Sequence, residues 1–218
     1  IREMNKRSFA LFTGWSIIIM ALVAGFVFGY ALPEFSSAKE GMSLQEFIES
    51  KQSLYFAMLA GLIFIQVLDL IVSYTFYKFF LQQHRKMAAI SGGLRFLYSL
   101  IFIFASLFLF KNLTDNTVYD EWILSNIQFF HNIWTFGLII FGIHILLLGY
   151  LMKLYGGIHK ILWLLALIAG ISYSLVSTLK LLEFEPEFTE NLEMILALPM
   201  TVGELGLAIW MVVKGGKN

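Results

Sequence analysis

Apolar residues along this chain form six long runs, and short polar connections separate each run from the next. A helix needs roughly 20 apolar residues to cross a bilayer core of about 30 Å. Backbone polar groups find no water in lipid, so helices are favoured, whereas a barrel would show short segments of alternating polarity. We therefore predict an all-α, polytopic bundle of six transmembrane helices, at about residues 8–32, 53–77, 87–110, 129–151, 158–179 and 194–213.

The connections are too short to hold a soluble domain, so we predict a single six-helix transmembrane domain over residues 1–218. The longest connection, residues 33–52, contains the segment Ser43–Ser50, SLQEFIES. This segment could form a short interfacial helix with Leu44, Phe47 and Ile48 facing lipid, or it could be an ordinary loop.

Charged residues divide sharply between the two sides of the predicted bundle. One side, here called the basic side, holds both terminal segments and the 2–3 and 4–5 connections, and the other is the acidic side. The basic side carries ten Lys or Arg residues and one acid, Glu3. The acidic side carries four lysines, including Lys39, and twelve acids, including Glu40 and Asp115. By the positive-inside rule, both termini are predicted to be cytoplasmic.

Composition excludes several classes of function. The chain is 59% hydrophobic and 14% charged and contains no cysteine, so disulfides and thiolate chemistry are absent. Neither a basic run nor a basic face interleaved with aromatic residues is present, which argues against nucleic acid as a partner. His131 and His144 are about 20 Å apart along one helix and could not share a metal ion. We predict no metal site and no cofactor.

Four ionisable residues fall at membrane depth, on four different spans: Asp69, Arg95, His144 and Glu204. At 1.5 Å per residue, Glu204 lies near the midplane. The other three lie roughly 4–8 Å to its basic side, so all four share one thin layer. Charged groups inside a membrane are costly and usually face the bundle interior with a partner.

Other polar residues extend these positions into stripes along the helices. Gln66, Asp69 and Ser73 share one face of the second span, and Ser91, Arg95 and Ser99 share one face of the third. Thr201 lies on the face of Glu204, and the fifth span has a small, polar face formed by Gly170, Tyr173, Ser174 and Ser177. These faces are expected to converge on one buried site that opens, or can open, toward the cytoplasm.

Each of these residues also has a purely structural interpretation. Asp69 and Arg95 are predicted to lie on facing helices and to pair directly or through one water, and this ion pair could simply lock the two helices. His144 could bond a neighbouring serine or backbone carbonyl. An unpaired Glu204 would be expected to hold a proton at this depth. Because Asp69 and Glu204 would compete for one arginine, we favour a ligand- or proton-responsive role for Glu204 and His144.

Four stretches of this sequence together resemble a known family. They are FGLIIFGIHILLLGY at Phe136–Tyr150, LPMTVGELGLAIWMVVK at Leu198–Lys214, VLDLIVSYTFYKFF around Asp69 and GGLRFLYSL around Arg95. The family is a bacterial membrane family, domain of unknown function 4386. This resemblance covers most of the chain and is closest from the fourth span onward. It implies a bacterial inner (cytoplasmic) membrane location and supplies no substrate or reaction.

Three functions are compatible with this sequence. The favoured one is binding or transport of a small or lipidic ligand, or of protons, at a site formed by Asp69, Arg95, His144, Glu204, Gln66 and Tyr173. An intramembrane enzyme that acts on a lipid or isoprenoid would use the carboxyl and the histidine as acid and base. A structural or assembly subunit would use the polar layer only for packing. Membrane lipids are expected partners, and the sequence leaves an oligomer or protein partner open.

Overall fold

The computed structural model of the protein describes residues 5–37, 41–113 and 119–217. Arg2, Glu3, Lys39, Glu40 and Asp115, which contributed to the predicted charge asymmetry, lie outside the described residues. Within the described residues, seven helices follow one another: α1 (Lys6–Glu34), α2 (Leu44–Ser50), α3 (Gln52–Phe80), α4 (Arg85–Lys111), α5 (Asp120–Tyr155), α6 (Lys160–Leu181) and α7 (Pro186–Val213). Near its end, α1 contains a π-helical turn, Val27–Ala31.

All helices except α2 are long and apolar enough to span a membrane, which confirms the six predicted spans. The chain is therefore a multi-pass membrane protein. Two spans begin eight or nine residues earlier than predicted. The fourth, α5, starts at Asp120 instead of residue 129, and the sixth, α7, starts at Pro186 instead of residue 194.

Both extensions have a physical cause in the sequence. The first turns of α5 are amphipathic, and Ile123, Asn126 and Ile127 are buried there, so protein packing holds a segment that is too polar to be recognised as a span. Pro186 stands in the first turn of α7, where its fixed φ suits a helix start.

The short helix α2 forms, which favours the helix over the ordinary loop, and its apolar residues pack against the rest of the protein. Leu44 and Ile48 are buried within the protein, and Phe47 packs on Phe35 with ring centroids 5.7 Å apart. A capping box starts the helix, since the Ser43 hydroxyl accepts from the Glu46 N–H and the Ser43 N–H donates to the Glu46 carboxylate. Hydrogen bonding to its carboxylate, from the Ser43 backbone N–H first and from the Ser43 side chain second, lowers the pKa of Glu46.

The six long helices form a closed ring. Each packs against the next along the chain, in the order α1, α3, α4, α5, α6 and α7, and α7 packs against α1 to close the ring. Consecutive long helices run in opposite directions. The start of α1 and the end of α7 therefore both lie on the basic side. A ring of six helices leaves space at its centre, and this space determines where a site can form.

Arg7 fastens the closing contact on the basic side. Its guanidinium donates to the carbonyls of Met211 at 2.9 Å, Val212 at 2.5 Å and Gly215 at 2.8 Å. The Met211 and Val212 carbonyls lie in the last turn of α7 and that of Gly215 lies just beyond it, so no further turn of helix bonds them and they are good acceptors for a cation. One side chain of α1 thereby caps the carboxyl end of α7.

Candidate polar site in the central cavity

Asp69 on α3 and Arg95 on α4 form a direct, buried ion pair. The Arg95 Nη2 atom lies 2.5 Å from the Asp69 Oδ1 atom, and the two residues are only 2% and 3% exposed. The turn between α3 and α4 is short, which places both residues at the same depth on adjacent helices. The pairing predicted from the sequence is therefore confirmed. The Asp69 carboxylate and the Arg95 guanidinium thus neutralise each other inside the bundle.

Gln66 belongs to the same stripe as Asp69, but it does not reach the ion pair. Its Nε2 atom donates to the Ser106 hydroxyl at 2.6 Å, one contact farther toward the acidic side. On the other flank, the Ser73 hydroxyl donates to the Gly92 carbonyl at 2.8 Å. Gln66, Asp69 and Ser73 thus form three successive polar contacts between α3 and α4.

His144 on α5 lies behind the ion pair and is fully buried. Its Nδ1 atom lies 2.8 Å from the Ser91 carbonyl oxygen, a contact that is favourable when this nitrogen carries the proton and donates. Its Nε2 atom is then an acceptor and lies 3.4 Å from the Arg95 Nη1 donor. A neutral His144 therefore orients Arg95, and its bond to the Ser91 backbone agrees with the structural interpretation.

Aromatic rings also surround the Arg95 guanidinium. Its central carbon lies 5.2 Å from the ring centroid of Phe141 and 5.8 Å from that of Phe76, within the range of cation–π attraction. Among the described residues, the buried Arg95 Nε atom has no hydrogen-bond partner. The side chain is thus fixed by Asp69, His144 and two rings while one donor stays unsatisfied.

Glu204 on α7 pairs with Tyr173 on α6. The Tyr173 hydroxyl donates to the Glu204 Oε1 atom at 2.8 Å, and the Tyr173 ring packs edge-on against Phe141 at 5.1 Å. Phe141 thus contacts both the Tyr173 ring and the Arg95 guanidinium. The pairing of Glu204 with a tyrosine was not predicted, although both residues were assigned to the site.

A cavity of about 430 Å³ occupies the centre of the ring, and all six long helices contribute to its lining. Asp69, Arg95, Tyr173 and Glu204 line it, whereas His144 and Gln66 do not. We call these four lining residues the polar floor. On α3, α4 and α6, the lining residues nearest the basic side are Asp69, Arg95 and Tyr173, respectively. The walls above the floor are largely apolar and aromatic and include Met20, Ala21, Ala24, Phe28, Ile65, Phe102 and Leu138.

The cavity extends toward the acidic side, whereas the sequence led us to expect a site that opens, or can open, toward the basic side. His131, Lys180 and Glu193 line its outer end. There the Lys180 ammonium lies 2.7 Å from the Glu193 carboxylate, and this pair joins α6 to α7 across the mouth. His131 is partly exposed where it lines this outer part of the cavity.

Below the polar floor, an aromatic plug closes the basic side. It consists of Phe79, Phe80, Tyr155 and Trp210, whose rings contact one another at centroid distances of 4.9–6.3 Å. The Lys6 ammonium lies 4.6 Å from the Tyr155 ring centroid and covers the plug. Bulky rings on this side, set against small side chains such as Ala21 and Ala24 on the other, explain the direction of the cavity.

Sequence reasoning missed two aromatic residues of the site. The Trp134 indole N–H donates to the Tyr98 hydroxyl at 3.2 Å, and Tyr98 packs on Phe141 at 4.8 Å. Tyr98 follows Arg95 by three residues on α4, a spacing that places both on one face. That spacing could have drawn attention to Tyr98, but nothing in the sequence pairs it with Trp134.

These features define a class: a six-span helical membrane protein with a central, amphipathic cavity and a charged floor. The chain belongs to the family described as Domain of unknown function (DUF4386), whose model matches residues 12–215. This match confirms the family resemblance drawn from the sequence. Comparisons with curated proteins and with solved structures find no match.

Proposed function

We propose that this protein binds a small or lipid-derived ligand in its central cavity and that the ligand enters from the acidic side. The observation that carries this proposal is the cavity itself, which all six long helices line and which ends on the polar floor. Ligand sites in proteins are typically apolar pockets with a few convergent polar groups. A bundle that needed only tight packing would fill this space with side chains.

The geometry supports binding over the two alternatives. An acid–base reaction would need His144 to reach the ligand, but His144 lies behind Arg95 and outside the cavity lining. A role in packing alone accounts for Asp69, Arg95 and His144, but leaves the Tyr173–Glu204 pair facing open space. The aromatic plug favours binding over transport, because a transported ligand could pass the plug only if its rings separated.

A cavity-filling variant tests this function. Ala21→Phe places a ring in the cavity, because Ala21 lines its wall on α1. Purification with native lipids, followed by mass spectrometry, should recover a small molecule or lipid with the parent protein and several-fold less of it with Ala21→Phe. The matched control is Leu22→Phe at the adjacent position, which is 72% exposed on the outer surface and should retain the parent amount.

Equal recovery from Ala21→Phe and Leu22→Phe would contradict binding in the cavity. Binding in the cavity would also be contradicted if no small molecule or lipid co-purified with a correctly folded parent protein at saturating amounts of native lipid extract. Thermal unfolding of both variants provides the folding control.

We also propose that the protein resides in a bacterial inner membrane with its basic side in the cytoplasm. Ten basic residues against four, over short connections, support this orientation. A reporter that is active only in the cytoplasm, fused after Asn218, should be active, and the same reporter inserted between Glu185 and Pro186 should not. The opposite pattern would reverse the orientation and place the mouth of the cavity in the cytoplasm.

A further inference from the structure

The charges of the polar floor balance only while Glu204 holds a proton. Asp69 is neutralised by Arg95, and His144, which donates to the Ser91 carbonyl, accepts from Arg95 and adds no charge. The partner of Glu204 is the neutral hydroxyl of Tyr173, and within the described residues Glu204 takes part in no ion pair. The floor thus has two carboxyl groups and one guanidinium, and the second carboxyl faces the cavity.

A carboxylate at this depth is stabilised by a cation more than by any other single partner. Among the described residues, the Lys and Arg side chains that line the cavity are Arg95, which Asp69 already holds, and Lys180, which pairs with Glu193 at the mouth. The described residues contain no group of three His, Asp or Glu side chains that could hold a metal ion. A cavity of about 430 Å³ instead has room for an organic group.

The walls of the cavity suit the same class of ligand. Phe28, Tyr98, Phe102, Trp134 and Phe141 line it, and aromatic rings attract ammonium and other organic cations. This wall already binds one cation, since Phe141 packs under the Arg95 guanidinium at 5.2 Å. Aliphatic side chains on α1 and α3, among them Met20 and Ile65, complete a surface for an apolar body.

The approach to the cavity is negatively charged as well. The connections on the acidic side carry twelve acids and four lysines, and Glu193 lines the mouth, where it pairs with Lys180. Clusters of one sign raise the local concentration of oppositely charged ligands and favour their entry. An anion would meet repulsion at the mouth and again at Glu204.

Building on the proposed binding function, we infer that the ligand is an organic cation with an apolar body. Its positive group lies against Glu204 and Tyr173, and its body occupies the aromatic and aliphatic walls above the polar floor. The Glu204 carboxylate sets the selectivity for charge, and the Tyr173 hydroxyl positions that carboxylate.

Three probes of different charge test this inference on the full chain in detergent or lipid nanodiscs. They are the tetraphenylphosphonium cation, the similarly shaped tetraphenylborate anion and the neutral alcohol decanol, each titrated by calorimetry. We expect saturable binding of the cation, with at least tenfold weaker binding of the other two, since tenfold is only about 1.4 kcal/mol. Ala21→Phe should abolish binding of the cation.

Glu204→Gln keeps the shape of the side chain and removes its charge. It should weaken binding of the cation roughly 30-fold or more, the effect expected for loss of a buried charge partner. The matched control, Glu187→Gln, removes an exposed carboxylate from the same helix outside the cavity and should leave affinity unchanged. Tyr173→Phe, which keeps the ring and loses the donor, should weaken binding by a smaller factor and remains informative if Glu204→Gln does not fold.

The outcomes separate the two proposals. If the anion or the alcohol binds as well as the cation, and Ala21→Phe blocks it, the cavity binds ligands but the inference about charge is wrong. The inference about charge is also wrong if the affinity for the cation is unchanged in Glu204→Gln or, should that variant not fold, in Tyr173→Phe. If none of the three probes binds in a way that Ala21→Phe blocks, the inference about charge is wrong, and the binding function is decided separately by whether Ala21→Phe prevents recovery of the co-purifying molecule.

Discussion

Asp69→Asn is expected to destabilise the protein by about 3–5 kcal/mol, because it leaves the Arg95 guanidinium buried without a counter-charge. Arg95 is 2% exposed and cannot turn to water, and its remaining polar contact with His144 is long at 3.4 Å. The double variant, Asp69→Asn with Arg95→Gln, should recover much of this loss, since no charge is then stranded. Thermal unfolding in one detergent, with all variants measured together, provides the comparison.

The exposed ion pair between Lys51 and Glu34 supplies the control for this prediction. Its atoms lie 3.0 Å apart, but the two side chains are 42% and 33% exposed. Glu34→Gln should therefore cost less than about 1 kcal/mol. If the single changes at Asp69 and Arg95 add up to the effect of the double change, the two residues do not interact as their distance indicates.

Gly142→Ala and Gly170→Ala are expected to destabilise the bundle by about 3 kcal/mol each, at the upper end of the cost of overpacking. The backbones of α5 and α6 touch at these residues. A methyl group on Gly170 would lie 2.7 Å from the Gly142 carbonyl oxygen, and one on Gly142 would lie 2.7 Å from that of Gly170. Because backbone atoms cannot turn aside, the helices would have to separate.

Gly25→Ala is the matched control for the two glycine variants. Gly25 also lies within a membrane-spanning helix, but no atom lies within 4 Å of an added methyl group there. Its substitution should be neutral or slightly stabilising, since alanine favours a helix more than glycine does. If Gly142→Ala unfolds at the same temperature as Gly25→Ala, the close approach of α5 and α6 is not a major source of stability.

The number of spans and the pairing of Asp69 with Arg95 could both be predicted from sequence for the same reason. Hydropathy and helical rise give the depth of each residue, and a short turn fixes which helices are adjacent. His144 was placed in the right layer on the same basis. Gln66 was assigned to the site by its helical face, but its partner Ser106 lies farther along α4, and spacing alone did not separate the two contacts.

The direction of the cavity and the partner of Glu204 could not be predicted in this way. Both depend on which side chains fill the centre of the ring, and therefore on rotamers and helix tilt. Large rings close the basic side at Tyr155 and Trp210, while Ala21 and Ala24 leave room toward the acidic side. The early start of α5 escaped prediction because its first turns are buried against protein and do not resemble a lipid-facing sequence.

The order of the helices around the ring has a consequence for biosynthesis. The hairpin of α3 and α4 emerges before α5, α6 and α7, and it carries Asp69 and Arg95 on facing surfaces. The two charges can therefore enter the bilayer as a neutral pair, instead of each bearing an insertion cost of about 2.5–3.5 kcal/mol alone. Glu204 enters the bilayer with α7, the last helix, after the other five long helices that line the cavity. A nascent chain halted before α7 would hold a balanced hairpin but an unfinished pocket, exposed to lipid where that helix belongs.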